Sequence, residues 1–168
     1  DRLYIYSLVY AYALRRAAEL FCAAGMDAQC EQYRLQYRQL TDHARRLIRD
    51  PASGYYRTHK NEVVFSQHAQ VWAVLSGCAE GDEAKRLMRA CMRDSNLLKC
   101  SYSMQFFLFR ALELAGVYDE FPEKWAPWHR LLEQHVTTWP EDFVDQRSDC
   151  HGWSAVPLDE LVHVVLGI

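Results

Sequence analysis

Hydrophobic positions in this chain follow two alternating patterns. Four segments are apolar or aromatic nearly all round: LYIYSLVYAYAL at 3–14, HAQVWAVL at 68–75, MQFFLFRAL at 104–112 and LVHVVL at 161–166. Between them lie segments whose apolar residues step by three and four, such as Cys30, Tyr33, Tyr37, Leu40, Ala44 and Leu47. Both patterns have the helical period, and no stretch alternates with period two, so the chain predicts helices and no strand. The first helix runs from Leu3 to Ala24 and stops at Gly25, and the second from Asp27 to Arg49, broken by Asp50-Pro51-Ala52-Ser53-Gly54. Ser66 caps a third, Gln67 to Ser76, ended by Gly77. Asp82 caps a fourth, whose stripe is Ala84, Leu87, Met88, Cys91 and Met92. Ser101 or Ser103 starts a fifth, Met104 to Ala115, ended by Gly116. Pro122 suits the first turn of a sixth, with Trp125, Trp128, Leu132 and His135 on one face. Ser154 and Pro157 open a seventh, with Leu158, Leu161, Val162, Val165 and Leu166 inside.

A helix apolar on all sides is buried on all sides, whereas a half-polar one has a solvent face. The odd-numbered helices therefore form an inner layer and the even-numbered ones an outer layer, an all-α architecture of antiparallel hairpins. Such repeats stack into a solenoid or close into an α/α toroid. All inner helices then run the same way, and their N-terminal ends share one rim. The loops entering them, 50–66, 93–103 and 136–154, are long and rich in polar and aromatic residues. The opposite turns, at Gly25 to Asp27 and Gly77 to Asp82, are short. That asymmetry marks the first rim as the functional face.

Composition narrows the function classes. The formal charge of −3 and the absence of a basic stripe exclude a nucleic-acid partner. No run of about 18 apolar residues provides a membrane span, and no signal peptide is visible. Five Trp and ten Tyr are an aromatic load suited to ligand-lining walls as well as cores. The six cysteines form no CxxC pair and no zinc spacing, so neither a metal nor another cofactor is expected. Read mostly as free thiols on apolar helical positions, they fit a reducing, cytoplasmic compartment. The chain starts at Asp1 and ends at Leu166-Gly167-Ile168 without polar tails, and reads as part of a larger domain.

The segment Thr137 to Ala155, TTWPEDFVDQRSDCHGWSA, concentrates the chemistry. Pro140 and a run of turn-forming residues make it a poor helix, and a long loop inside a compact domain is usually functional. Across the rim, Glu62, Ser66, Gln67, His68, Tyr102, Trp139, Glu141, Asp142, Asp149, His151 and Trp153 are candidates. Glu141 reads as a general base taking a proton from water, or as a solvated loop acid. His151 reads as a ligand of a substrate hydroxyl, or as an imidazole bonded to nearby backbone. Trp139 and Trp153 offer faces for sugar rings, or pack on helix ends. His68 faces the site or bridges to the next helix end, and Asp149 with Arg147 can be an ion pair pinning the loop. Nothing provides a nucleophile elbow.

Four segments carry a resemblance to the C-terminal part of the catalytic domain of glycoside hydrolase family 78, the bacterial and fungal α-L-rhamnosidases. They are LIRDPASGYYR (47–57), FSQHAQVWAVL (65–75), YSMQFFLFRALELAGVYDE (102–120) and, most specific, Thr137 to Pro157 with its Ser-Asp-Cys-His-x-Trp-Ser-Ala-x-Pro run. The resemblance implies an (α/α)6 toroid of twelve helices that hydrolyses terminal α-L-rhamnosides with inversion. It implies Glu141 as the general base and His151 as a sugar-hydroxyl ligand, with a carbohydrate substrate. The family pattern often places Trp and Glu side by side. Here Pro140 intervenes, which leaves Asp142 as a reserve base.

Residues 1–168 then correspond to the C-terminal half of the toroid. The family's general acid lies in the first half, so the remaining half of the domain is the implied partner and the chain alone is expected to be inactive. Inverting glycosidases need two carboxyl groups roughly 6.5–9.5 Å apart. The competing readings are a helical-repeat interaction module, and another α/α-toroid glycosidase or a sugar epimerase.

Overall fold

The computed structural model describes residues 4–60, 63–142 and 148–168. Among these it contains seven helices: α1 Tyr4–Ala23, α2 Asp27–Leu47, α3 Gln67–Leu75, α4 Gly81–Arg93, α5 Tyr102–Leu114, α6 Ala126–Glu133 and α7 Val156–Glu160. Extended pairing among the described residues is confined to isolated bridges, Arg49 with Tyr56, Arg57 with Phe65 and Ser66 with Leu98. No helix is long and apolar enough to cross a membrane.

The helices pack in the predicted order. α1 lies against α2 and α3, α3 against α5, and α5 against α7, so the odd-numbered helices form one inner row. α3 is the centre of it, with Val71, Ala73 and Val74 fully enclosed. Its two glutamines, Gln67 and Gln70, are buried as well and are satisfied. Gln70 accepts from the Tyr56 amide at 2.8 Å and donates to the Tyr56 carbonyl at 2.9 Å. Ser66 caps α3 as predicted, its hydroxyl accepting from the Ala69 amide at 3.2 Å. Beyond the other end, Arg45 donates to the carbonyls of Gly77 and Cys78, and Tyr37 to that of Ser76, tying α2 to the turn that follows α3. Gly77 permits this, since its φ is +79° and a Cβ there would meet the Tyr37 hydroxyl at 2.5 Å.

Several expectations are corrected. α3 and α5 are the deeply buried helices, but α1 and α7 are not. Tyr6, Tyr10 and Leu20 on α1 are exposed, as are Leu158, Leu161, Val162, Val165 and Leu166, which the sequence places inside. α1 and α7 sit at the two ends of the row, and no other described element covers those side chains. α7 also widens into a π turn, Leu161–Val165. In α6 the buried residues are Trp128 and Leu131, whereas Leu132 is 71% exposed. A 3₁₀ turn, Pro122–Trp125, precedes α6 and shifts the phase of its stripe. α4 begins at Gly81 without a capping bond from Asp82, and α5 begins at Tyr102.

The cysteine reading holds for Cys78, Cys91, Cys100 and Cys150, which are free, and fails for two. Cys22 and Cys30 form a disulfide. The turn through Gly25, with φ +72°, folds the end of α1 back onto the start of α2 and brings the two together. A second feature that the pattern hid is Glu160 of α7, which has no exposed surface. Arg110 of α5 donates to its carboxylate at 2.5 Å and the Tyr118 hydroxyl at 2.8 Å. Burial pushes the Glu160 carboxyl up, against the pull of these two partners. α7 is thereby docked on α5.

Candidate active site

Three helix starts meet on the elaborated rim. The backbone amide of Gln67, at the start of α3, donates to the Leu98 carbonyl at 2.9 Å, and its side-chain oxygen accepts from the Cys100 amide at 2.9 Å. This ties the entrance of α3 to that of α5. The turn Gly152–Ser154, just ahead of α7, lies against α5. The sequence expectation that the long loops converge is met.

The 136–154 loop is shaped by its ends. After α6, His135 adopts φ 55°, and the Val136 amide returns to the Leu131 carbonyl at 2.9 Å, which terminates the helix and redirects the chain. The two arms of the loop then pair. The Glu141 amide donates to the Ser148 carbonyl at 2.8 Å, and the His151 amide to the Trp139 carbonyl at 2.5 Å. Ser154, fully buried, closes the base: its hydroxyl donates to the His151 carbonyl at 2.9 Å and its own carbonyl accepts from the Trp128 indole at 2.7 Å. Trp128 in turn packs on the Tyr102 ring at 5.3 Å. The loop is thus seated on α6 and on the first turn of α5.

This pairing brings three sequence candidates together. The Glu141 carboxylate lies 3.9 Å from Nδ1 of His151, with 14% and 33% of the two side chains exposed. Nδ1 of His151 is buried and has no hydrogen-bond partner among the described residues. The imidazole stacks on the Trp153 ring, with centroids 4.1 Å apart and planes 28° apart. The Trp153 indole N–H donates to the Glu141 backbone carbonyl at 3.2 Å. A mostly buried carboxylate beside an imidazole can accept a proton from water and leave the second ring nitrogen of His151 for a ligand hydroxyl.

The other candidates are placed differently. Tyr102 is fully buried, and its hydroxyl donates to the Pro127 carbonyl at 3.1 Å. Burial pushes the pKa of that phenol up, with Arg130 opposing and Asp142 reinforcing the shift. Tyr102 therefore forms the floor under the loop, with Asp142 electrostatically coupled to it. Trp139 packs partly buried against the core and lines a cavity of about 270 Å³ with Trp128, Leu131 and Thr137. His68 lies in the first turn of α3, half-buried, and burial lowers its tendency to protonate. Among the described residues, no hydrogen bond or ion pair joins His68 to the Glu141–His151 pair. Asp149 is exposed. Glu62 and Arg147 lie outside the described residues. No group of three His, Cys, Asp or Glu among the described residues is placed to hold a metal ion.

Sequence reasoning missed the linking role of Trp153 and the closing role of Ser154. The available signal was the spacing His-x-Trp-Ser, which a short 3₁₀ turn converts into a stack and a clamp.

No family model matches the chain, and no curated protein matches it. Solved structures do, among them two rhamnosidases. One is a family GH78 rhamnosidase of Bacillus sp. GL1, with TM-score 0.81 and 24% identity, covering 95% of this chain and 19% of that one. The other is a rhamnosidase from Klebsiella oxytoca with rhamnose bound, with TM-score 0.80 and 20% identity, covering 98% of this chain and 34% of that one. The chain spans between about a fifth and a third of the length of these proteins. It has the all-α, α/α-toroid-type fold of a segment of these rhamnosidases.

Proposed function

We propose that this chain is the C-terminal half of an (α/α)6 catalytic domain that hydrolyses terminal α-L-rhamnosides with inversion. Glu141 is the general base and His151 a ligand of a sugar hydroxyl. One observation carries the reading: a carboxylate and an imidazole 3.9 Å apart on the rim where the inner helices begin, in a fold shared with rhamnosidases. In this reading Glu141 takes a proton from water while the water oxygen bonds to the anomeric carbon. The glycosidic C–O bond breaks, and the departing oxygen takes a proton from a general acid in the remaining half of the domain. His68, held neutral by burial, is a further sugar ligand from the neighbouring helix start. Asp142 is the reserve base. The uncovered apolar side chains of α1 and α7 suit seats for the remaining helices.

The test is hydrolysis of an aryl α-L-rhamnoside by the full-length protein and by its Glu141→Gln variant. Glutamine keeps the shape and removes the basicity. General-base assistance is typically worth about 10²–10⁴-fold, so kcat is expected to fall at least about a hundredfold with the protein still folded. The chain by itself is expected to give no turnover. Near-normal kcat in Glu141→Gln beside an inactive Asp142→Asn would move the base to Asp142.

A further inference from the structure

The buried side chains of α7 are Val156 and Glu160, whereas Leu158 and, in the π turn beyond, Leu161 and Val162 are exposed. Glu160 uses both carboxylate oxygens: Arg110 donates to Oε1 and the Tyr118 hydroxyl to Oε2. Both donors belong to α5 or to the 3₁₀ turn after it, Tyr118–Glu120, and both are held independently of α7. Glu113, one turn along α5, pairs with the Arg110 guanidinium at 3.1 Å, and the Phe106 ring lies 5.6 Å from it. The Tyr118 ring packs edge-on against Phe109 at 6.0 Å, with the Lys124 ammonium 3.9 Å from its centre. α5 and its following turn thus present a socket for one carboxylate. Replacing a buried ion pair by well-packed apolar residues is often neutral or stabilising, so stability alone gives no reason for a carboxylate there. What the pair adds is direction, because two charge-assisted hydrogen bonds from fixed donors select one orientation.

That direction passes to the site loop. The Ser154 amide donates to the His151 carbonyl at 3.3 Å, the Ala155 amide to that of Gly152 at 3.1 Å, and the Leu158 amide to that of Ala155 at 3.0 Å. The run from His151 to Glu160 is therefore one continuous piece, a 3₁₀ turn leading into α7. Pairing of the loop arms joins them to each other, but it does not set where the pair stands over α5. Trp128 holds the base at Ser154, and a body held at one bond can turn about it. Trp139 rests on apolar side chains, and apolar burial is non-directional. Glu160, six positions and roughly 9 Å along a helical run from Ser154, gives a second directional point. We infer that Glu160 is a positioning residue: through α7 it sets where the paired arms, and with them His151, stand over the starts of the inner helices. This rests on the proposed function, which makes His151 a sugar ligand. Placement matters because a shift of about 1 Å at a distance from the chemistry can cost on the order of a hundredfold.

The test uses the full-length protein with Glu160→Leu, which keeps the bulk and loses both bonds, Glu160→Gln, which keeps the shape and its hydrogen-bonding groups, and Tyr118→Phe, which removes one donor. Each is made alone and with His151→Ala, and turnover is read on an aryl α-L-rhamnoside. The expected result is a kcat/KM lower by about tenfold in Glu160→Leu and about threefold in Tyr118→Phe, with Glu160→Gln restoring it to within about threefold of the parent. In the His151→Ala background, Glu160→Leu should change kcat/KM by less than about twofold, since the group it positions is gone. A loss of folded protein would carry through to that background undiminished. A kcat/KM within twofold of the parent in Glu160→Leu, or the same loss with and without His151, overturns the inference. If Glu160→Leu does not fold, Tyr118→Phe carries the same comparison. Full activity in Glu141→Gln overturns the functional reading instead. The seating then has its own readout in hydrogen exchange. The amides of His151, Ser154 and Ala155 should exchange at least about fivefold faster in Glu160→Leu or Tyr118→Phe, with those of α3 unchanged. Unaltered exchange at these three amides refutes the seating whatever the activity.

Discussion

Two of the long loops on the elaborated rim are held in different ways. The first, from Ile48 to Ser66, is braced internally among its described residues and is tied to α3 through Tyr56. Asp50 accepts from the amide and hydroxyl of Ser53 and from Arg57, within 2.7–2.9 Å. Gln70 holds both backbone groups of Tyr56, and the Tyr56 hydroxyl reaches the Cys78 carbonyl at 3.0 Å. Among its described residues the second, from Val136 to Ser154, pairs its two arms with each other and is anchored to α6 where Trp128 holds Ser154. The first loop thus acts as a strut, bonded at Tyr56 to α3 and to the turn that follows it. In the second the base is fixed, and the Glu141–His151 pair sits on paired arms above it. Binding and catalytic groups are commonly carried by the less tightly bonded segments of a rigid frame. Here both kinds of loop lie on one rim, so a strut and a site can be told apart by what damage to each one does.

The largest effect on stability is expected beneath the second loop, where α7 is docked. Glu160→Ala leaves the Arg110 guanidinium without its buried partner and the Tyr118 hydroxyl without an acceptor. Breaking a buried pair on one side costs about 3–5 kcal/mol, and the low end applies because Arg110 keeps Glu113 at 3.1 Å. Denaturant unfolding checks this. A loss near zero would mean that α7 is held by apolar contacts alone.

Gln70→Leu comes next. It strands the buried amide and carbonyl of Tyr56, a loss of about 2 kcal/mol. The kcat of the full-length protein, measured where the variant is folded, should stay within about twofold, because the loop it supports carries none of the proposed chemistry. His151→Ala is the mirror image. Stability should change by less than about 0.5 kcal/mol, as for other substitutions away from a packed core, while kcat/KM falls at least about tenfold. If both variants lost activity equally, the division into strut and site would be wrong.

The smallest effect is on the acid limb. Arg57 first, and then Ser53, holds the Asp50 carboxyl at about 2 in place of its ordinary 3.8. A carboxyl lowered in the folded state stabilises it at pH values above 3.8, and that contribution is lost as pH falls towards 2. Unfolding free energy measured between pH 5 and pH 2.5 should therefore fall less steeply in Asp50→Asn than in the parent. Identical slopes would show that the Asp50–Arg57 pair does not contribute.

Much of the frame was legible because local chemistry and burial agree there. Ser66 caps α3, Gly77 ends it in a backbone region that favours glycine, and the all-round apolarity of α3 and α5 matches their central places. What was not legible depends on groups distant in sequence or on changes of helical phase. Nothing near Glu160 announces Arg110, which lies fifty positions earlier. Cys22 and Cys30 look like separate helical thiols until the turn at Gly25 folds them together. Leu131 and Leu132 exchange burial because a turn of about three residues per repeat precedes one of about 3.6. The residue types at the site were readable, and Glu141, His151 and Trp153 do meet. Their arrangement was not, because pairing of the two loop arms is invisible to any local pattern. Tyr102 shows the converse: its position at a rim helix start suggested a ligand, and the fold buries it as the floor.

The most direct measurement is rescue of Glu141→Ala in the full-length protein by azide, a small nucleophile that needs no general base. With an aryl α-L-rhamnoside as substrate, the account predicts that azide restores turnover and that the product is the β-configured rhamnosyl azide, because attack comes from the face that water normally uses. Glu141→Ala that stays inactive at high azide, or an α-configured product, would contradict it.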